Sequence, residues 1–216
     1  MKKQLSTTYL VLAIAYLIFS CSEPAKEETK NNAPKGPITL HVGDENYALI
    51  DTTESIISWK GSNSFGSHTG YVHISKGELL IENSQIAGGT VEVDMNTIED
   101  EEHQTNSGLI KHLKDPDFFD VKKFPLAAID ITKVTTISAE DKEITGNLTI
   151  KGITQPVSFP ARIEVKDGLV KAMGKLVIDR TRWGVRYGSG KFLDNLKNET
   201  ISDSIEFNIT IVAKNR

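Results

Sequence analysis

Six stretches of the chain alternate apolar and polar residues with a period of two. Turn residues separate these stretches, which cover residues 55–61, 68–74, 90–95, 156–165, 170–178 and 205–213. Strict alternation is typical of strands that have one buried and one solvated face. The pattern therefore predicts an all-β fold, in which an antiparallel sheet of about eight strands closes into a barrel or folds into a sandwich to bury its apolar side.

One segment, residues 99–120, interrupts the alternation. It reads EDEEHQTNSGLIKHLKDPDFFD, begins with acidic residues suited to a helix N terminus, and ends with Phe118 and Phe119. Gly108 and Pro116 limit any helix to short pieces, which are not stable alone in water. We predict a short helical insert that caps one end of the barrel, with at least one ring bordering the barrel end. The alternative is that both rings only anchor the insert to the sheet.

The N-terminal residues have the layout of a secretory signal. Lys2 and Lys3 precede an apolar run over residues 9–19, and Ser20 precedes Cys21, the only cysteine of the chain. The stretch IFSC resembles a bacterial lipobox, so we predict a signal peptide over residues 1–20 and a lipid anchor at Cys21. The residues that follow are charged and poor in large apolar side chains, which predicts a flexible tether over residues 21–46 and a barrel domain over residues 47–216.

Composition and motifs exclude several classes of function. The chain has 216 residues, is 38% hydrophobic and has a net charge of −4, with Lys and Arg scattered, which argues against nucleic acid as a partner. It has no G-x-S-x-G motif, and its histidines do not follow a recognised metal-ligand spacing, so we expect neither an enzyme nor a cofactor. A metal- or redox-linked accessory protein that uses His103 and His112 stays an alternative.

Three glycines fall on apolar faces of predicted strands. Gly70 shares a face with Val72, and Gly146 and Gly174 have similar neighbours. These small residues can leave room for an alkyl chain, or they can mark bulges and bends in a filled barrel. A filled barrel would act as an interaction or stress-response module with no lipid ligand. Arg180 continues an inward-facing pattern at the end of its strand. Its guanidinium can meet a polar ligand head or close the barrel end, paired with an acid or stacked on Trp183, and the sequence favours the closing role.

Five stretches occur together in an order that resembles the YceI-like family of lipocalin-like, polyisoprenoid-binding domains of bacterial envelopes. They are HLKDPDFFDVKKFP, LAAIDI, ITGNLTIKGITQPVSFPA, KLVIDRTRWGV and SDSIEFNITIVAK, and the similarity runs from Tyr47 to Lys214. Ala127 and Ala128 are smaller than is usual for the family, and Trp183 departs from its pattern.

The resemblance implies an elongated antiparallel barrel that takes up a polyisoprenoid or another long-chain amphiphile. With the pattern of inward-facing positions, it predicts a ligand-binding set of Trp59, Gly70, Val72, Phe118, Phe119, Gly146, Leu148, Ile150, Gly174, Leu176, Ile178, Arg180, Trp183 and Phe207. We therefore expect a lipid-binding protein of the bacterial cell envelope that is anchored to a membrane through Cys21, as a monomer or a homodimer.

Overall fold

The computed structural model describes residues 37–192 and 200–214. The predicted signal peptide, Cys21 and most of the predicted tether lie outside the described residues. The elements in chain order are β1 (Tyr47–Ile50), β2 (Ile56–Asn63), β3 (Gly66–Glu82), β4 (Gln85–Asp100), α1 (Gly108–Lys114), β5 (Leu126–Thr136), β6 (Asp141–Ile150), β7 (Ile153–Lys166), β8 (Leu169–Asp179), a 3-10 helix (Arg180–Trp183) and β9 (Ser204–Lys214).

The strands form one antiparallel sheet that closes on itself. Its order is β1-β3-β2-β9-β8-β7-β6-β5-β4, and pairing of β3 with β4 completes the ring. Because β1 and β2 both lie between β3 and β9, they share one position, and the result is an eight-stranded barrel with one extra strand. The all-β prediction, the barrel and all six predicted strands are confirmed.

Strands β3 and β4 are much longer than their alternation predicted. Their pairing changes register between Tyr71 and His73, between Ile74 and Lys76, and between Leu80 and Ile81. Each such irregularity shifts the side chains that follow to the opposite face, which interrupts the period of two. Residues 99 and 100, which the sequence placed in the helical insert, therefore belong to β4.

The barrel has two different ends. One end, the base, carries the β3–β4 turn, the β5–β6 loop and the β7–β8 turn. The other end, the mouth, carries the β2–β3 turn, α1, the β6–β7 turn and the 3-10 helix. Three of the turns are the two-residue type that matches strand twist, with positive φ at Asn83–Ser84 (51° and 60°), Lys151–Gly152 (52° and 72°) and Asp167–Gly168 (51° and 76°). A glycine at the second position adopts this conformation without strain.

Helix α1 is the short insert that the sequence predicted. The Ser107 hydroxyl accepts a hydrogen bond from the Ile110 amide at 3.4 Å and caps its first turn, and Asp115 ends the helix before Pro116. Ile110 is fully buried and fixes α1 against the barrel. None of the helices in the described ranges has the length and apolar character needed to span a bilayer.

Residues 38 and 41, which the sequence assigned to the tether, lie against the outside of β3 and β4. The Ile38 amide donates to the Glu92 carboxylate at 2.9 Å, and the His41 amide donates to the Glu78 carboxylate at 2.8 Å. Both carboxylates are buried, and Lys76 Nζ donates to the Ile38 carbonyl at 2.7 Å. Charge-assisted hydrogen bonds of this kind fix the point at which the chain reaches the barrel, close to its base.

Candidate ligand-binding cavity

A cavity of about 490 Å³ occupies the barrel interior and extends to the mouth. Inward-facing aliphatic and aromatic residues of strands β2 to β9 form most of its wall. The base is packed, since Ala48, Val170 and Ala213 are at most 1% exposed there. A barrel of eight strands is either just filled by side chains or holds one slender ligand, and this interior is open. Side chains therefore do not fill this interior, in contrast to the filled barrel of the alternative.

The exposure of inward-facing residues agrees with an open interior. Phe207, Ile209 and Ala172 face inward and line the cavity, yet each is only half-buried. An inward-facing apolar residue in a filled barrel would be fully covered by its neighbours. These side chains therefore have free space beside them, as an alkyl ligand requires.

Ten of the fourteen residues predicted to bind a ligand line the cavity. They are Trp59, Val72, Phe118, Phe119, Leu148, Ile150, Gly174, Leu176, Arg180 and Phe207. They come from β2, β3, the insert after α1, β6, the end of β8 with the 3-10 helix, and β9, which the barrel closure brings together. Their contact with a ligand stays a prediction, whereas their position around one cavity is a feature of the structure.

The space-making interpretation does not hold for Gly70 and Gly146, neither of which lines the cavity. A Cβ atom at Gly146 would meet the Asp130 carbonyl oxygen of β5 at 2.6 Å, and one at Gly70 would meet the Trp59 ring at 2.5 Å and the Glu99 carbonyl. Both glycines allow a close approach of neighbouring groups, as the bend-or-bulge alternative proposed.

Gly174 does line the cavity, although the Phe159 ring occupies much of the space beside it. A Cβ atom there would meet that ring at 3.0 Å. The room that a glycine leaves at this position is thus shared between an aromatic side chain and the cavity. Ala127 and Ala128, which are small for the family, also line the cavity and widen it at β5.

Ile178 and Trp183 are buried outside the cavity wall. Ile178 is 4% exposed and Trp183 is 1% exposed. The Trp183 indole nitrogen donates to the Leu148 carbonyl at 3.0 Å, which fastens the 3-10 helix to β6. Trp183 therefore serves packing at the mouth rather than the cavity surface.

The two phenylalanines of the insert border the mouth, as predicted. Phe118 is 5% exposed and Phe119 is half-buried, and both line the cavity. Lys151 Nζ donates to the carbonyls of Pro116 (2.8 Å) and Phe118 (2.7 Å), so the turn that carries the rings is tied to the β6–β7 turn. These hydrogen bonds from Lys151 hold the insert against the mouth, although the insert and the β6–β7 turn are more than 30 residues apart in the sequence.

Arg180 lies beneath Phe118 and is 2% exposed. Its guanidinium carbon is 5.9 Å from the Phe118 ring centre. Its three nitrogens donate to the carbonyls of Ser202 (2.9 Å), Val185 (2.8 Å) and Ile201 (3.1 Å). The predicted closing role is thus supported by three hydrogen bonds to backbone carbonyls, and Phe118 rather than Trp183 covers the guanidinium.

Charges around Arg180 are partly compensated. Burial lowers the pKa of Arg180, whereas Asp203, whose carboxylate oxygen is 3.7 Å away, and Asp179 favour the charged form. Burial also favours protonation of Asp179, but hydrogen bonds from Lys191 and Thr181 outweigh it and lower the pKa of Asp179 to about 2. The mouth therefore carries a small ion-pair network at neutral pH, in which Lys191 also pairs with Asp203 at 3.1 Å.

Sequence reasoning missed the lining residues that lie in turns and loops. Phe65, Tyr187 and Ile201 border the cavity at the mouth. They lie outside the alternating stretches, so periodicity carries no signal for them. For Phe65, the sequence offered one signal, which is the presence of an aromatic residue within the predicted turn NSFG.

His103 and His112, which the metal-linked alternative uses, lie in different places. His103 Nδ1 is 2.7 Å from the Glu99 carboxylate on the barrel exterior, whereas His112 packs edge-on against Phe118 and Tyr187, with ring centres 4.9 and 4.6 Å apart. Within residues 37–192 and 200–214, His, Cys, Asp and Glu side chains form no group of three suited to a metal ion.

Residues 49–213 match the family model described as the YceI-like domain. The chain belongs to the YceI-like family. It is 31% identical over 123 residues to a UPF0312 protein of Shewanella denitrificans, a match that covers 52% of this chain and 63% of that protein. A UPF0312 protein of Enterobacter sp. is 36% identical over 88 residues, or 40% of this chain and 44% of the relative. The matches thus cover less than two thirds of either relative.

Two solved structures have the same fold as this YceI-like chain. BcnA of Burkholderia cenocepacia superposes with a TM-score of 0.64 at 20% identity, covering 76% of this chain and 99% of BcnA. A polyisoprenoid binding domain from Saccharophagus degradans gives 0.59 at 11% identity, covering 79% and 99%. At these identities the likeness shows the shared fold.

Proposed function

We propose that this YceI-like protein binds the hydrocarbon part of a polyisoprenoid or similar long-chain amphiphile inside its barrel. The observation that carries the proposal is the apolar cavity of about 490 Å³ that runs into the barrel from the mouth. Its volume lies in the range of small-molecule sites. The polyisoprenoid binding named for the structural neighbour from Saccharophagus degradans supports the ligand class.

The distribution of polar groups gives the ligand a direction. Ser62, His68, His112, Arg180 and Ser202 line the cavity, and all belong to the mouth end. The hydrocarbon chain would enter toward the packed base and leave its polar head at the mouth. Burial contributes roughly 0.8 kcal/mol per methylene group, so about ten such groups would give roughly 8 kcal/mol before the cost of ordering the ligand. A net binding free energy of that size would correspond to micromolar affinity, so the cost of ordering the ligand makes the expected affinity weaker than micromolar.

Filling the cavity from Ala172 tests the proposal. Ala172 faces inward and is half-buried, so the side chain of Ala172→Trp would extend into free space and occupy the path of the ligand. We expect native mass spectrometry to show a lipid adduct on the parent chain and none on this variant, with the thermal midpoint little changed.

The matched control for that experiment is Lys171→Trp, which adds the same side chain to the exposed outer face of β8. The control should keep the lipid adduct. An adduct that persists in Ala172→Trp would place the lipid outside the barrel and contradict the proposal.

We also propose that Cys21 carries a lipid anchor that holds the protein to a membrane of the bacterial envelope. The basic residues, the apolar run and the IFSC stretch support it. Cys21→Ser should move the full chain from the membrane fraction to the soluble fraction on sedimentation, whereas Ser22→Ala should not. Equal sedimentation of Cys21→Ser and the parent would reject the anchor.

A further inference from the structure

An aromatic side chain projects into solvent at the tip of the β2–β3 turn. Phe65 is 79% exposed. The Asn63 side chain accepts hydrogen bonds from the amides of Phe65 (2.9 Å) and Gly66 (3.0 Å), which fixes the turn. A phenylalanine exposed on a fixed turn points to an interaction only when it belongs to a larger apolar patch.

Two further aromatic residues lie on the same side of the mouth. Tyr187 is 44% exposed and Phe192 is 46% exposed. The Ser64 hydroxyl donates to the Thr200 carbonyl at 3.4 Å, and Gly190 lies beside the Thr200 methyl group, so the Phe65 turn and the segment before Phe192 are neighbours. We call Phe65, Tyr187 and Phe192 the aromatic rim.

We propose that the aromatic rim docks the mouth of the barrel onto a lipid bilayer. Aromatic residues and neighbouring basic residues are the usual contacts of proteins with the membrane interface. The Arg186 guanidinium is 4.6 Å from the Phe192 ring centre, which places a cation for lipid phosphates next to an aromatic ring. A bilayer is therefore the partner whose chemistry matches this surface.

The cavity provides an independent reason for this assignment. Phe65 and Tyr187 belong both to the exposed rim and to the cavity wall. The apolar surface is thus continuous from the rim into the barrel, and an alkyl chain can pass between bilayer and cavity without crossing water. This second reason rests on the proposed function, because it requires that the cavity takes its ligand from a bilayer.

The chain length between the predicted anchor and the barrel permits this docking. Pro37 lies sixteen positions after Cys21, and a chain of this length can span at most about 56 Å. Strand β3 has 17 residues and, at about 3.3 Å per residue and a tilt near 40°, covers roughly 43 Å along the barrel axis. A chain that reaches the barrel near its base can therefore still let the mouth contact the anchoring membrane.

A single-thiol label tests which face of the barrel meets the bilayer. In a Cys21→Ser background, a polarity-sensitive fluorophore at Ser64→Cys reports on the rim and leaves Phe65 in place. The controls are Met173→Cys on the outer face of β8 and Ile137→Cys at the base, both exposed positions. The full chain is mixed with vesicles of phosphatidylcholine that contain phosphatidylglycerol.

We expect a blue shift and protection from iodide quenching at position 64, neither change at 137 or 173, and loss of both changes when Phe65→Ser is added. An equal or larger shift at a control position, or an unchanged shift with Phe65→Ser, would overturn the inference. A shift at position 64 that follows protein concentration without vesicles would assign the rim to self-association and overturn it too.

The cavity-filled Ala172→Trp chain separates this inference from the proposed function. The emission of the fluorophore at position 64 should still shift to the blue when vesicles are added to this variant, although the variant no longer takes up lipid. If the parent chain takes up no lipid but the label shifts, docking stands and the proposed function fails. If the parent takes up lipid without any shift at position 64, the docking inference is wrong and the proposed function stands.

Discussion

Replacing Arg180 with methionine is expected to lower the free energy of unfolding by about 3–5 kcal/mol, because the change removes one partner of a buried charged cluster. The guanidinium is 2% exposed and donates hydrogen bonds to three carbonyls, two of them in the segment that leads into β9. Without it, these carbonyls would lose their donor, and Asp203 would keep Lys191 as its cationic partner. Chemical denaturation measures the loss.

Arg182→Met is the matched control for that prediction. Arg182 belongs to the same 3-10 helix, but its side chain is exposed and lies over the Trp183 ring with 5.4 Å to its centre. An exposed contact of this kind is worth about 0.5–1 kcal/mol. Similar losses in the two variants would show that Arg180 does not hold the mouth together.

Gly146→Ala is expected to lower the free energy of unfolding by about 1–3 kcal/mol, the usual range when an extra group is forced into a tightly packed site. The added methyl group would meet the Asp130 carbonyl oxygen at 2.6 Å. That oxygen belongs to the backbone of β5, which pairs with β6 along this stretch, so it cannot move without disturbing the ladder. Thermal and chemical denaturation of parent and variant measure the difference.

Gly61→Ala provides the comparison, since a Cβ atom at Gly61 of β2 meets no atom within 4 Å. We expect this variant to be unchanged or stabilised by about 0.5 kcal/mol, because alanine restricts the unfolded chain. If Gly146→Ala were as stable as Gly61→Ala, the close approach of β5 and β6 would not be what requires glycine.

Alternation predicted six of the nine strands in the described part of the chain, because side chains on one face of a barrel share one environment over many residues. Strands β1, β5 and β6 lie outside those six stretches. Alternation failed at the irregularities of β3 and β4, where an extra residue reverses the faces. The roles of Gly146 and Gly174 could not be separated from sequence. Each depends on how closely a strand that is distant in sequence approaches, and local pattern does not encode that distance.

The mouth was the least predictable part of the cavity. Phe118 and Phe119 could be assigned to it because Pro116 and the flanking acids limit where the rings can go. Trp183 could not be excluded from the cavity, because its position depends on a hydrogen bond to a carbonyl of β6. Tyr187 comes from an irregular segment in which the Val185 carbonyl accepts a hydrogen bond from the Arg180 guanidinium, and a period-two pattern does not indicate that contact.

The pairing of Leu49 with Lys214 has a consequence for the architecture of larger proteins. The chain enters β1 and leaves β9 side by side at the base. A domain joined before β1 or after β9 would therefore be attached at the base of the barrel, and the mouth would stay accessible. The two ends are also close enough to be joined by a short linker, so that a circular permutant could open at the β7–β8 turn. The barrel is thus suited to insertion within a longer chain as a self-contained module.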